Sequence, residues 1–252
     1  MTVFMTDSLD DIRIVLVEPA GALNVGSIAR VMKNMGVQQL VLVNPQCDPQ
    51  GTEARQMAVH GGDILDQAQT VSSLPEALVG CQQAVATTAR DRALSLPLEA
   101  PKEVLPKLLS VPSALIFGRE DSGLTNDELT HAHHCLCLPT AATYPSLNLA
   151  MAVGVCVYEL QQLATSPREK PVAGSLKQSA SLDALEGYYD HLERVLLKIG
   201  FLYPHTAPAR MQKFRQIFNR ANLTPEELAL LRGILRQTEW AIQNNNDVVN
   251  EE

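Results

Sequence analysis

The chain has 252 residues, 46% hydrophobic and 19% charged, with a formal net charge of −8. That balance excludes a disordered chain, and at a prior of roughly 150 residues per domain the length predicts one large domain plus a smaller one. No apolar run approaches the ~18 residues of a membrane helix, so no membrane partner is expected. MTVFMTDSLDDIR opens with acids where a secretory signal is basic, and five cysteines without a CxxC spacing fit a reducing, cytoplasmic setting.

Along the first 165 residues, short apolar runs alternate with helical stretches. IRIVLVE (12–18), LVLVN (40–44), AVATTA (84–89), ALIFG (114–118) and CLCLP (135–139) read as buried strands. They are rich in Val, Ile and Leu and bounded by Pro, Gly or polar clusters. Helices are expected at Gly26–Met35, Leu74–Val79, Glu99–Leu109 and Thr125–Ala132, and Ser146–Leu163 reads as a long apolar helix. Ser73 with Glu76, and Thr125 with Glu128, have the spacing of capping boxes. The alternation predicts an α/β domain over residues 1–164, a mostly parallel sheet with helices on both faces.

TSPREKPVAGSLKQSA (165–180) lacks apolar periodicity and reads as a linker. Beyond it Leu182, Leu185, Tyr189, Leu192, Leu196 and Ile199 recur at helical spacing, as do Met211, Phe214, Ile217 and Phe218. Thr224 with Glu227 opens a further helix through Trp240. Residues 181–243 are therefore expected to form a small all-α extension, with 244–252 a frayed tail.

An acidic protein is a poor partner for nucleic acid, but the distribution matters more than the sum. Residues 1–165 carry 17 acids and 9 bases, whereas 166–252 carry 11 of each. Arg194, Lys198, Arg210, Lys213, Arg215 and Arg220 occur with no acid between Arg194 and Pro225. Such a run attracts phosphate or is simply a solvated helix face. Aromatics make up only 4% of the chain, so few rings are expected for base stacking.

No GxGxxG follows the first strand and no GxxxxGK[ST] occurs, which argues against a Rossmann dehydrogenase or a P-loop NTPase. HAHHCLC (131–137) lacks zinc spacing, so no metal site is expected there; it reads as a strand with Cys135, Cys137 and His133 on one side. Three polar segments follow predicted strands, where open α/β sheets bind ligands. Asn24–Arg30 (NVGSIAR) follows the first, with Asn24 as an N-cap and Arg30 in the second helical turn. Phe117–Leu124 (FGREDSGL) has Gly118 and Gly123 for tight turns and Glu120 to orient a cation. Tyr144–Ala150 (YPSLNLA) sets Ser146 and Asn148 at a helix N-terminus. Each alone fits capping and turn chemistry; together they point to a shared polar pocket. Arg119 and Arg90 are exposed-loop candidates for phosphate contact or plain surface charges, Lys33 for a solvated role or a weak RNA contact, and Arg30 alternatively for a salt bridge to Glu120.

NxGSIAR, GREDSGLTNDEL and YPSLNLAMAVGV, in that order, resemble the three motifs of the SpoU (SPOUT-class) RNA 2′-O-ribose methyltransferases over roughly residues 10–163. YYDHLERVLLKIGF and ELALLRGIL are similar to the helical extension of one subgroup, the bacterial tRNA (cytidine/uridine-2′-O-)methyltransferases of anticodon-loop position 32. The resemblance implies a C-terminal trefoil knot over about 115–163, an exception to the rule against threading. It implies S-adenosylmethionine as methyl donor, cradled by Thr87, Thr88, Ala89, Gly118, Leu138, Pro145, Ser146 and Leu147, with no metal required. It implies that Arg30 carries the central role, with Asn24, Glu120, Ser146 and Asn148 holding it and the substrate. It also implies a homodimer whose sites are completed across the interface, acting on tRNA, with Lys213, Arg215 and Arg220 expected to bind the RNA body. The alternatives are a relative acting on rRNA or another tRNA position, and a knotted RNA-binding module without turnover.

Overall fold

The run IRIVLV forms β1 (Ile12–Val17), in which Ile14, Val15 and Leu16 are consecutively and fully buried. A strand buried on alternate and intervening positions alike has both faces covered. The structure is a computed structural model describing residues 9–89, 97–166 and 179–249, with side chains described as far as residue 244. The chain divides into two compact units, Met1–Ala173 and Gly174–Glu252.

In the first unit β1 is followed by α1 (Ala22–Met35), β2 (Gln39–Val43), α2 (Thr52–Ala58), a 3-10 turn (Val59–Gly61), α3 (Gly62–Gln67), β3 (Gln69–Val71) and α4 (Leu74–Ala77). Then come β4 (Gln83–Thr87), β5 (Leu98–Glu99), α5 (Pro101–Val104) with a 3-10 turn (Leu105–Leu108), β6 (Ser113–Phe117), α6 (Asn126–Leu129), β7 (His134–Leu136) and α7 (Leu149–Thr165). The strands form one seven-stranded sheet in the order β3-β2-β1-β6-β4-β7-β5. Every pairing is parallel, so the expected mostly parallel sheet is wholly parallel. The two strands that the sequence did not suggest, β3 and β5, are short and lie at the two edges, where little apolar patterning is required. The unforeseen α2 packs on α1 so closely that a Cβ on Gly26 would stand 2.1 Å from the Ala54 carbonyl oxygen.

Helix boundaries revise several expectations. α1 begins at Ala22 behind Gly21 as N-cap, so Asn24 is not the cap but lies inside the first turn, and Arg30 falls in the third turn rather than the second. α7 starts at Leu149, and the Asn148 side chain caps it by accepting from the Ala150 and Met151 amides. Ser146 therefore precedes that helix. Thr125 and Glu128 form the expected reciprocal box, as do Thr224 and Glu227. Ser73 does not: its hydroxyl donates to Glu76, which also accepts from Ser72.

The second unit comprises α8 (Leu182–Lys198), α9 (Ala207–Ala221) and α10 (Pro225–Val249). Tyr188, Tyr189 and Phe218 pack in its interior, where the Tyr189 hydroxyl donates to Asn219 Oδ1 at 2.8 Å. α10 continues past Trp240 to Val249, into the stretch expected to fray; no Gly or Pro interrupts it. Most of the expected linker lies outside the described residues. Of its ends, Thr165 closes α7, and the Ala180 amide is bonded to the Leu223 carbonyl at 2.7 Å.

Candidate active site

Strands β1, β6, β4 and β7 are sheet neighbours, so the loops leaving their carboxyl ends emerge side by side. Glu120, in the loop after β6, is the meeting point. Its carboxylate accepts from the Ala20 amide (3.1 Å), the Gly21 amide (3.0 Å) and Asn24 Nδ2 (3.0 Å). Asn24 Oδ1 in turn accepts from Asn148 Nδ2 at 3.0 Å, while Asn148 Oδ1 caps α7. One chain of hydrogen bonds thus joins the loop after β1, the first turn of α1, the loop after β6 and the start of α7. Burial works to raise the Glu120 carboxyl pKa, but the bonds from Asn24 and the two loop amides outweigh it and hold it below the ordinary carboxylate range. Glu120 binds amides here, and no cationic side chain of the described residues pairs with it.

Next to Glu120, Arg119 is clamped. Its Nε donates to Glu18 at 2.7 Å, and Nη1 and Nη2 donate to the two Glu128 oxygens at 3.0 and 2.9 Å. Glu18 is held ionised chiefly by this arginine; at Glu128 burial opposes ionisation but the arginine and the Thr125 groups prevail. Arg119 is therefore a loop fastener and not the expected phosphate contact. The Gly123 amide donates to the Arg119 carbonyl at 3.0 Å, closing a tight loop in which a Cβ on Gly118 would lie 2.2 Å from the Gly123 carbonyl carbon. Only glycine fits at 118.

These loops border an open cleft. Thr87, Thr88, Ala89, Gly118, Leu138, Pro145, Ser146 and Leu147 all line it, together with Glu120, Asp121 and Ala152. Its walls are small or apolar. The arginine present is neutralised by two glutamates, and the remaining charges are the carboxylates of Glu120 and Asp121. Such a lining suits a ligand with an apolar body, several hydrogen-bonding groups and a positive centre.

Arg30 stands apart. It is exposed on α1, six residues and about 9 Å of helix rise beyond Asn24. It does not line the cleft and makes no hydrogen bond or ion pair with a described residue. The alternative salt bridge to Glu120 is absent among the described residues. Lys33 pairs with Asp63 and Arg90 lies outside the described residues. In HAHHCLC, His133 Nδ1 accepts from the Ala84 amide at 3.2 Å, and burial lowers its pKa to about 4. His134 Nδ1 lies 2.6 Å from Glu99 Oε1, and no three potential metal ligands cluster among the described residues.

The basic run of the second unit is divided by helix geometry. Arg215 makes a two-point pair with Glu186, with its guanidinium 4.5 Å from the centre of the Tyr189 ring. It is only 16% exposed, which is not the open RNA contact expected of it. Arg194 pairs with Glu239 at 3.2 Å. Lys213 and Arg220 are exposed and make no ion pair with a described residue.

Sequence reasoning missed Glu18, Glu128 and the Ala20 and Gly21 amides as parts of the site. The available signal was Glu128 itself: one carboxylate both closes a capping box and holds Arg119.

Residues 11–158 match the SpoU rRNA Methylase family, and residues 183–247 match the C-terminal domain of the tRNA methyltransferase TrmJ. The tRNA (cytidine/uridine-2′-O-)-methyltransferase TrmJ of Cronobacter sakazakii is 43% identical over 238 residues, covering 92% of this chain and 97% of that protein. The crystal structure of TrmJ from Z. mobilis ZM4 superposes with a TM-score of 0.80 at 29% identity, over 90% of this chain and 98% of that one. An AdoMet-bound rRNA methyltransferase from Sinorhizobium meliloti shares the fold at 22% identity and a TM-score of 0.54, over 64% and 59% of the two chains. Motifs, fold and relatives agree: the chain belongs to the SpoU methylase family.

Proposed function

We propose that this protein transfers the methyl group of S-adenosylmethionine to the ribose 2′-hydroxyl of a cytidine or uridine at position 32 of the tRNA anticodon loop. The observation that carries the reading is the Glu120–Asn24–Asn148 chain of bonds, which locks three strand-end loops around one weakly acidic cleft. The helical second unit favours tRNA over rRNA, since residues 183–247 match a tRNA methyltransferase domain. The reading includes the trefoil knot over about 115–163 that the family resemblance implies, and a cytoplasmic setting.

When bound, S-adenosylmethionine supplies an electrophilic methyl on a positive sulfonium together with its own leaving group. Thr87, Thr88, Ala89, Gly118, Leu138, Pro145, Ser146 and Leu147 would hold it, and the unneutralised carboxylates of Glu120 and Asp121 favour its positive charge. Asn24 and Asn148, fixed by their mutual bond, keep the start of α7 and the Glu120 loop in register and would hold the cleft in one shape for the reacting groups. A guanidinium donates hydrogen bonds and accepts none, so Arg30 is no base. Its guanidinium docks the RNA phosphate and polarises the 2′-hydroxyl, whose proton leaves through that phosphate or a water.

Arg30 lies away from its own cleft, which favours a homodimer in which it serves the partner's. The outward stripe of α7, Met151, Val155 and Tyr158, with Leu23 of α1, is exposed and apolar, as a self-interface requires. Incubation with unmodified tRNA transcripts and labelled S-adenosylmethionine, followed by mapping of the labelled nucleotide, tests the reading. Label at another nucleotide selects the relative, and none selects the module without turnover. Arg30→Lys keeps the charge but loses the planar fork, so turnover is expected to fall on the order of a hundredfold or more with donor affinity unchanged. Mixing Arg30→Lys with Glu120→Gln subunits is expected to restore part of the activity; no recovery would argue that each site is built within one chain.

A further inference from the structure

The second unit gathers aromatic rings that the low overall aromatic content did not foreshadow. Six of the eleven aromatic residues fall between Tyr188 and Phe218. Tyr188, Tyr189 and Phe218 form its interior. Phe201 and Tyr203, in the turn between α8 and α9, are instead 50% and 59% exposed. The turn that carries them is rigid. Gly200, at φ 75°, lets α8 end, and the Phe201 and Leu202 amides both donate to the Leu196 carbonyl at 3.0 Å. Leu202 is buried to 1% exposure and anchors the turn, while the Tyr203 carbonyl accepts from the Thr206 and Ala207 amides at 2.8 Å. A hydrogen-bonded turn with a buried anchor, pointing two large rings outward, is poised for something that takes rings.

A guanidinium and an imidazole ring flank the two rings. Arg210 lies 5.6 Å from the centre of the Phe201 ring, and the Tyr203 ring runs within 23° of parallel to His205. Lys198, Arg210 and Lys213 are exposed and make no ion pair with a described residue. No acid lies between Arg194 and Pro225, and the acids that reach this run, Glu239 and Glu186, are taken by Arg194 and Arg215. Exposed ring faces beside uncompensated cations are what unpaired nucleotides require: bases stack on the rings while phosphates meet the charges. A base-paired stem offers phosphates but no free base face.

We infer that the α8–α9 turn is a stacking platform for an unpaired nucleotide of the RNA substrate, with Phe201 and Tyr203 supplying the ring faces and Lys198, Arg210 and Lys213 the phosphate contacts. The inference rests on the RNA substrate proposed above and adds where and by what chemistry a single-stranded part is gripped.

The test uses the full chain, a seven-nucleotide pyrimidine oligoribonucleotide, and a duplex of the same length. Phe201→Leu with Tyr203→Leu is expected to weaken oligonucleotide binding on the order of ten- to a hundredfold, leaving duplex binding and the salt slope unchanged. Tyr203→Trp should bind at least as well as the parent. Lys198→Gln with Lys213→Gln should instead lower the salt slope on both probes. Unchanged oligonucleotide affinity in the folded double leucine variant overturns the platform, and so does a changed sedimentation profile at equal RNA affinity, which would show the rings covering protein. Methyl transfer by the parent is measured separately. Its absence would sink the proposed activity and leave the binding comparison standing.

Discussion

In the first unit, Asn24, Glu120 and Asn148, separated by 96 and 28 residues, are bonded into one network. In the second, Lys213, Arg215 and Arg220 are near neighbours in sequence but do not act as one group. Arg215 is held by Glu186 of another helix, while Lys213 and Arg220 stay open to solvent. Parallel-sheet topology collects loop residues at one edge whatever their distance along the chain, whereas a helix spreads consecutive charges around its circumference. Polar residues at strand ends are therefore better evidence of a shared site than a run of like charges on helices.

The comparison breaks most visibly at Gly118. Gly118→Ala would put a methyl 2.2 Å from the Gly123 carbonyl carbon, which backbone cannot yield without moving the loop that carries Arg119 and Glu120. Donor affinity by calorimetry is expected to fall on the order of a hundredfold or more, since the cleft loses a wall rather than a contact. Gly187→Ala is the matched control: a Cβ there meets nothing closer than 3.8 Å, so both donor and RNA affinities should hold.

Acid separates the two units next. His133, buried on the Ala84 amide, has its pKa lowered by burial to about 4, well below the ordinary histidine value. A histidine depressed in the folded state stabilises above the unfolded pKa, and that contribution is lost as pH falls toward the folded value. Across this window the first unit should lose about 3 kcal/mol, read as hydrogen exchange of the β4 and β7 amides. His133→Gln, which can still accept from Ala84, should flatten the loss. Trp240, the single tryptophan, reports on the second unit alone and should not follow it.

Smaller effects distinguish the cations of the second unit. Arg215→Ala strands Glu186 and uncovers the Tyr189 ring, so it should cost about 2 kcal/mol of stability in thermal or urea unfolding. Lys213→Gln should leave the melting temperature unchanged and lower the salt slope of RNA binding by about 1. The reverse pattern would mean that Arg215 leaves Glu186 for RNA.

Much of this was legible in the sequence, for identifiable reasons. The inner strands announced themselves because burial on both faces demands unbroken Val, Ile and Leu. The eight residues expected to cradle the methyl donor do line one cleft, because motif order along a parallel sheet fixes which loops meet. β3 and β5, short edge strands, and α2 carried no comparable signature. The Asn24 error was one of register: without a side-chain cap, Gly21 gave no mark of where α1 begins. The charges of Arg119 and Arg215 were legible, but their partners Glu18, Glu128 and Glu186 lie on other elements, and no local pattern announces a tertiary ion pair.

The smallest expected effect tests the network most finely, because Asn148 does two jobs with two different atoms. Its Oδ1 caps α7, and its Nδ2 donates to Asn24. Asn148→Asp keeps the acceptor, and a carboxylate suits a helix N-terminus, so global stability should hold within about 0.5 kcal/mol. It removes the donor, however, and sets an acceptor against Asn24 Oδ1. Asn24 would then release Glu120 or turn over, and the cleft should lose affinity for the donor and turnover together. Asn148→Ala loses both atoms and should cost about 1 kcal/mol of stability besides. If the aspartate variant kept full turnover while the alanine variant melted early, Asn148 would be a helix cap and nothing more, and the chain of bonds to Glu120 would be incidental to the chemistry. Stability and turnover falling separately, each with its own atom, would show instead that one side chain couples the start of α7 to the reacting centre.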